Sequence, residues 1–80
     1  MRLSQLVKNK PAIVSSVQKH TESDPIAQRL SELGFVKGET VRLISKAPFG
    51  GDPILVQVGF TRFALRLCEA ERVVIEEQQL

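Results

Sequence analysis

The sequence predicts a mainly β fold: a small barrel of five short strands, with one amphipathic helix between the first and second. Three observations carry that expectation. Ile54, Val56, Val58 and Phe60 are apolar at alternate positions, the period-two pattern of a strand with one buried face. The segment SDPIAQRLSELGF holds chemical signals for both ends of a helix. Finally, 80 residues suffice for one small core, because a chain of this size buries only about 60 to 65% of its unfolded surface. That leaves no room for a second core or a two-lobed catalytic cleft.

The elements follow in order. Leu3, Leu6 and Val7 recur at helical spacing and predict one or two helical turns, which stop at KNKP because Asn9 tolerates a left-handed backbone and Pro11 cannot continue a helix. Ile13, Val14 and Val17 mark a β-branched strand over Ala12–Val17, ended by the polar run QKHTESD. The helix comes next. Asp24 is placed to cap it, Pro25 suits its first position, and Ile26, Ala27, Leu30 and Leu33 form one apolar stripe. Gly34 ends it as the left-handed residue past the C-terminus, with Phe35 placed to close a hydrophobic contact with Leu30.

Gly38 then falls at the third position of a type II turn leading into the strand ETVRLISK, where Val41 and Leu43 alternate with Arg42 and Ile44. The next strand runs from Ile54 through Phe60, with Leu55, Gln57 and Gly59 on its other face. Gly59 to Arg62 form a tight reversal into RFALRL, CEAE makes one helical turn, RVVIE is the last strand, and the tail EQQL frays. Short antiparallel strands in so small a chain protect their edges best by closing on themselves. The architecture expected is therefore a five-stranded SH3-like barrel, one domain over residues 1–80.

Composition excludes several functions. The 11 basic and 9 acidic residues are interspersed along the sequence, a weak case for nucleic acid, whose affinity scales with the number of phosphates that a clustered basic face neutralises. Cys68 is the only cysteine, which rules out an internal disulfide and points to a reducing, cytoplasmic setting. Gln5, Lys8, Asn9 and Lys10 interrupt the apolar stretch that an export signal needs, and no window approaches the roughly 18 apolar residues of a membrane-spanning helix. One histidine, one cysteine and no tyrosine leave few acid–base pairs, and the chain is expected not to be an enzyme.

The stretch KAPFGGDPILVQV sets two prolines and two adjacent glycines in β-forming sequence. A phosphate-binding loop requires a lysine ahead of a helix, whereas here Gly51, Asp52 and Pro53 lead into a strand. A flexible linker does not fit either, since the flanking strands share their period. A structured turn remains.

At these residues the chain resembles a known family. APFGGDPILVQVGFTRFALRLCEA is similar to the signature of the ferrous iron transport protein A (FeoA) family, an A-P-[L/F]-G-D-P-[I/V] hairpin followed by A-L-R and a downstream E-A. RLSELGFVKGETV resembles the family's L-x-x-L-G segment, and the matches run from Leu3 to Ile75. Gly51 stands as an insertion in the usual G-D-P, Asn9 replaces a frequent turn glycine, and one extra residue lies near Phe60 to Arg62. The resemblance implies an SH3-like domain in the cytoplasm that serves Fe2+ uptake by binding the cytoplasmic domain of the membrane GTPase FeoB, with no reaction of its own and no required cofactor. Weak self-association accompanies this expectation.

Candidate sites follow. Pro48, Phe49, Gly50, Gly51, Asp52 and Pro53 form either a rigid hairpin whose Phe49 folds back on the barrel or a partner-docking loop, since a stiff loop with an exposed aromatic loses little entropy on docking. Gln28, Arg29, Ser31 and Glu32 are the exposed face of the helix, with Arg29 the candidate partner contact. Arg66 either forms a structural ion pair with Glu69 or a nearby carboxylate, or offers its charge to a bound GTPase. His20, Glu22 and Asp24 are a thin candidate set for weak Fe2+ or Zn2+ binding, set against a polar loop and helix cap. Cys68 is expected as a small buried hydrophobe.

Two other functions stand beside the leading one. A conventional groove for proline-rich peptides needs aromatic walls, and the chain has no Trp or Tyr. A regulatory barrel like that of iron-dependent repressors normally accompanies a helix-turn-helix, and no second helix adjoins the Pro25 helix.

Overall fold

The computed structural model describes residues 1–77. Five strands, β1 (Ala12–Val17), β2 (Thr40–Lys46), β3 (Ile54–Val58), β4 (Thr61–Leu65) and β5 (Val73–Glu77), form one antiparallel sheet in the order β4-β3-β2-β1-β5. Helix α1 (Pro25–Leu33) joins β1 to β2, and the four-residue helix α2 (Leu67–Ala70) joins β4 to β5. The expected mainly β architecture is the one observed, and its elements follow the predicted order. The tail expected to fray lies, from Gln78 onward, outside the described residues.

Alternation explains where the core sits. Val41 and Leu43 of β2, Ile54, Val56 and Val58 of β3, and Val73 and Ile75 of β5 all turn inward onto Val14, Leu30 and Phe35. Each large side chain taken fully out of water contributes about 1.5–3 kcal/mol, and Phe35 adds a tilted aromatic contact with Phe63 at a centroid distance of 6.1 Å. The sheet bends through bulges, between Leu43 and Ser45 on β2 and between Val14 and Ser16 on β1. The terminal strands β4 and β5 are spanned by α2 and by the N-terminal segment, whose Leu3 and Leu6 are buried beside Ala70.

Helix α1 has the ends its sequence specifies. Asp24 accepts hydrogen bonds from the backbone N–H groups of Ile26 and Ala27, and Pro25 occupies the first helical position. At the other end Gly34 is left-handed at φ 116°; its N–H bonds to Ser31 O and the Phe35 N–H to Leu30 O, the paired bonds that close a helix at glycine. Gly38, at φ 94°, takes the third position of a turn closed by the Glu39 N–H on Val36 O.

Two expectations need correction. The expected N-terminal turn is present as a 3-10 turn, Leu3–Gln5, but Val7 does not share its inward face: it is 64% exposed, and only Leu3 and Leu6 reach the core. The chain leaves the helical path there because Asn9, at φ 64°, and Lys8 are drawn alongside Leu43 of β2. The third strand ends at Val58 rather than Phe60: Val58 pairs with Thr61, which leaves Gly59 and Phe60 as a two-residue hairpin loop with Gly59 at φ 59°. Phe60 is fully exposed at its tip.

Candidate functional site

The loop Ala47–Pro53 leaves β2 and returns as β3, closed at its base by the Ala47 N–H on Pro53 O at 3.0 Å. Gly50 and Gly51 are consecutive left-handed residues, φ 78° and 70°, a path that residues with a Cβ take only at a cost. Their glycines are therefore a requirement of the loop's shape. Asp52 ties the loop to the rest of the fold, its Oδ1 accepting the Leu67 N–H at 3.1 Å and so satisfying a free donor at the start of α2. Asp52, Pro53 and Arg66 border a shallow depression of about 340 Å³.

Phe49 stands at the crest of this loop. It is 92% exposed and does not fold back onto the barrel, which corrects that expectation for the ring while the hairpin itself is closed and tethered. The tethered loop thus holds a large aromatic face in water.

The arginines take different places. Arg29 of α1 reaches across to α2, where its Nη1 lies 3.0 Å from Glu69 Oε2. Arg66 does not pair with Glu69 as the structural alternative supposed; Glu69 Oε1 instead accepts the Arg66 backbone N–H, and among the described residues the Arg66 guanidinium is in no ion pair. It lies beside Asp52 and Pro53, at the foot of the Phe49 loop.

His20, Glu22 and Asp24 do not converge. Asp24 is buried and fully engaged: Oδ1 serves the Ile26 and Ala27 N–H groups, while Oδ2 accepts the His20 N–H and the Arg72 guanidinium. These donors, the His20 N–H foremost, hold the Asp24 carboxyl at a pKa of about 2 against the desolvation that opposes ionisation. Its lone pairs are committed to folding. Among the described residues no group of three or more His, Cys, Asp or Glu side chains is placed to hold a metal ion. Cys68 is exposed on α2, not buried, because the apolar side of that single turn is taken by Leu67 and Ala70. It borders a polar groove with His20, Arg2 and Glu71.

The long-range partners of Asp24 and Asp52 were not visible in the sequence, since Arg72 is 48 positions from Asp24 and Leu67 is 15 from Asp52. No local spacing rule signals either.

With this geometry in hand, the likeness to known proteins is informative. The FeoA domain family matches residues 1–77. The chain belongs to the FeoA family. FeoA from Stenotrophomonas maltophilia, solved in complex with zinc and described as an SH3 domain protein and a candidate activating factor of ferrous iron transport, is 60% identical, with a TM-score of 0.87 over 95% of this chain and 89% of that one. Iron(II) transport protein A from Clostridium thermocellum is 34% identical, with a TM-score of 0.84, and this chain spans 45% of its length. FeoA from Chlorobium tepidum is 32% identical over 99% of this chain and 71% of that one, with a TM-score of 0.85. The fold of this FeoA chain also recurs at 19% identity, with a TM-score of 0.77, in IdeR from T. acidophilum, a likeness of architecture alone. No curated protein sequence is significantly similar to the chain. The FeoA family is one of small transport-linked domains, and among the described residues no helix of this member is long and apolar enough to cross a membrane.

Proposed function

We propose that this FeoA protein is a cytoplasmic accessory or regulatory subunit of bacterial ferrous iron uptake, and that it acts by docking its Phe49 loop onto the cytoplasmic domain of the membrane GTPase FeoB. Family membership supports the process, and one observation supports the surface: a 92% exposed phenylalanine on a loop closed at its base by the Ala47 N–H on Pro53 O and tied to α2 by the Leu67 N–H on Asp52. Such a loop meets its partner with little conformational entropy left to lose, and a buried aromatic is a favoured anchor. Arg66, in no ion pair among the described residues, supplies a positive charge at the foot of the loop. Arg29 serves to hold α1 against α2.

The test is a calorimetric titration of this protein into the purified cytoplasmic domain of FeoB, with GTP hydrolysis followed in parallel. Phe49→Ala weakens binding while circular dichroism stays unchanged. Undiminished affinity of the Phe49→Ala protein removes the loop from the reading, and the absence of any binding by the wild type removes FeoB.

A further inference from the structure

A different surface carries its own argument, independent of the FeoB reading. Strands β2, β3 and β4 contain three basic residues, Arg42, Lys46 and Arg62, and no acidic one, whereas β5 carries Glu76 and Glu77 on the far side of β1. The ladder places Arg42 opposite Gln57 and Gln57 opposite Arg62, so the two arginines flank one glutamine in a row across three strands on the solvent face. Beside that row lies another, Ser45, Leu55 and Ala64, in which Leu55 is half-buried and Ala64 exposed. Gln57 Oε1 accepts the Arg62 Nε–H at 3.3 Å and steadies that side chain. Among the described residues neither Arg42 nor Arg62 is in an ion pair. The carboxylate placed at this end is Glu39, whose Oε2 lies 4.0 Å from where a Cβ on Gly59 would stand.

We propose that the outer face of β2, β3 and β4 receives an acidic amphipathic helix of a protein partner, Arg42 and Arg62 each taking one carboxylate across the Gln57 strand. The spacing carries the choice of occupant. Two strand intervals separate the arginine backbones by about 10 Å, and two turns of helix separate residues i and i+7 by about 10.5 Å. A helix laid across the strands thus presents acidic side chains on one face to both arginines, while the aliphatic residue at i+3 or i+4, whichever lies on the Leu55 side of the helix, covers Leu55 and Ala64. Desolvated guanidinium–carboxylate pairs then set orientation.

The experiment uses the isotopically labelled full chain and a synthetic amphipathic helix with glutamates at i and i+7 and leucines at i+3 and i+4. Amide shifts on titration fall on Arg42, Leu55, Gln57, Arg62 and Ala64, and Arg42→Gln with Arg62→Gln lowers affinity about fivefold to tenfold without changing the melting temperature. A peptide of the same composition with its glutamates moved out of the i, i+7 register binds correspondingly less. Equal binding of the two peptides, or shifts elsewhere on the molecule, overturns the proposal. So does a result in which neither peptide shifts these amides while phosphatidylglycerol vesicles do, since the face would then belong to a lipid surface.

Discussion

Each of the two connections flanking strand β3 carries an exposed phenylalanine, and the two are built on different principles. Phe60 sits on the shortest hairpin loop, fixed by the ladder that pairs Val58 with Thr61 and by one left-handed glycine. Phe49 sits on a longer loop that leaves the ladder after Lys46 and rejoins it at Ile54; two left-handed glycines shape it, and a carboxylate ties it to a separate helix. Equal exposure therefore has unequal meaning. The Phe60 hairpin is a local solution to joining two strands, whereas the Phe49 loop is held by a contact with α2 that the connection itself does not need. That difference is the reason to place docking at Phe49.

The largest effect that tests the comparison is on affinity. Phe49→Ala lowers binding to the cytoplasmic domain of FeoB by about tenfold to a hundredfold, and Phe60→Ala changes it by less than about twofold, both read by calorimetry. Equal losses would erase the distinction. Next comes acid, which probes the scaffold beneath both loops. The Asp24 carboxyl, ordinarily at 3.8, is lowered to about 2 in the fold, so its stabilisation is complete above pH 4 and is lost as pH falls toward 2. Asp24→Ala lowers the melting temperature by about 5–10 °C at neutral pH and flattens the dependence between pH 4 and 2, with both phenylalanine loops unchanged in chemical shift.

Backbone substitutions divide the two ends more finely. A Cβ at Gly51 would lie 3.7 Å from Lys46 Cδ and one at Gly59 4.0 Å from Glu39 Oε2, ordinary contacts in both cases. The cost of Gly51→Ala or Gly59→Ala is therefore conformational, about 1 kcal/mol each in denaturant unfolding. Only Gly51→Ala weakens FeoB binding. The smallest change is Asp52→Ala, which frees the Leu67 N–H to water, costs about 0.5 kcal/mol of stability, and raises hydrogen exchange at the amides of residues 49–52 while the Phe60 hairpin stays protected as before.

The sequence was legible wherever structure is decided within a few residues. Asp24, Pro25, Gly34 and Phe35 announced both ends of α1 because caps act on backbone groups two or three positions away. Alternation disclosed the inward faces of β2 and β3. Phe60 misled for the same reason: a period counts side chains and is blind to the reversal that Gly59 imposes. The grouping of His20, Glu22 and Asp24 failed because neighbours in sequence competed with backbone donors that already occupied Asp24. Cys68 and Arg66 depended on which side of a four-residue helix faces inward, and that is settled only by packing against Leu3 and Leu6. The loop Pro48–Pro53 was recognisable as a structured turn from its residues, but its tether to α2 was a property of the assembled chain.

The Asp24 carboxylate also bears on how this protein can vary. Its donors come from the β1–α1 connection, from the first turn of α1 and from Arg72 just ahead of β5. Exchanging Asp24 and Arg72 for each other would restore an attraction of opposite charges yet abandon three backbone amides, so drift at this position is closed even to compensated pairs. Natural variation in homologues should accordingly tolerate change at Arg72 sooner than at Asp24.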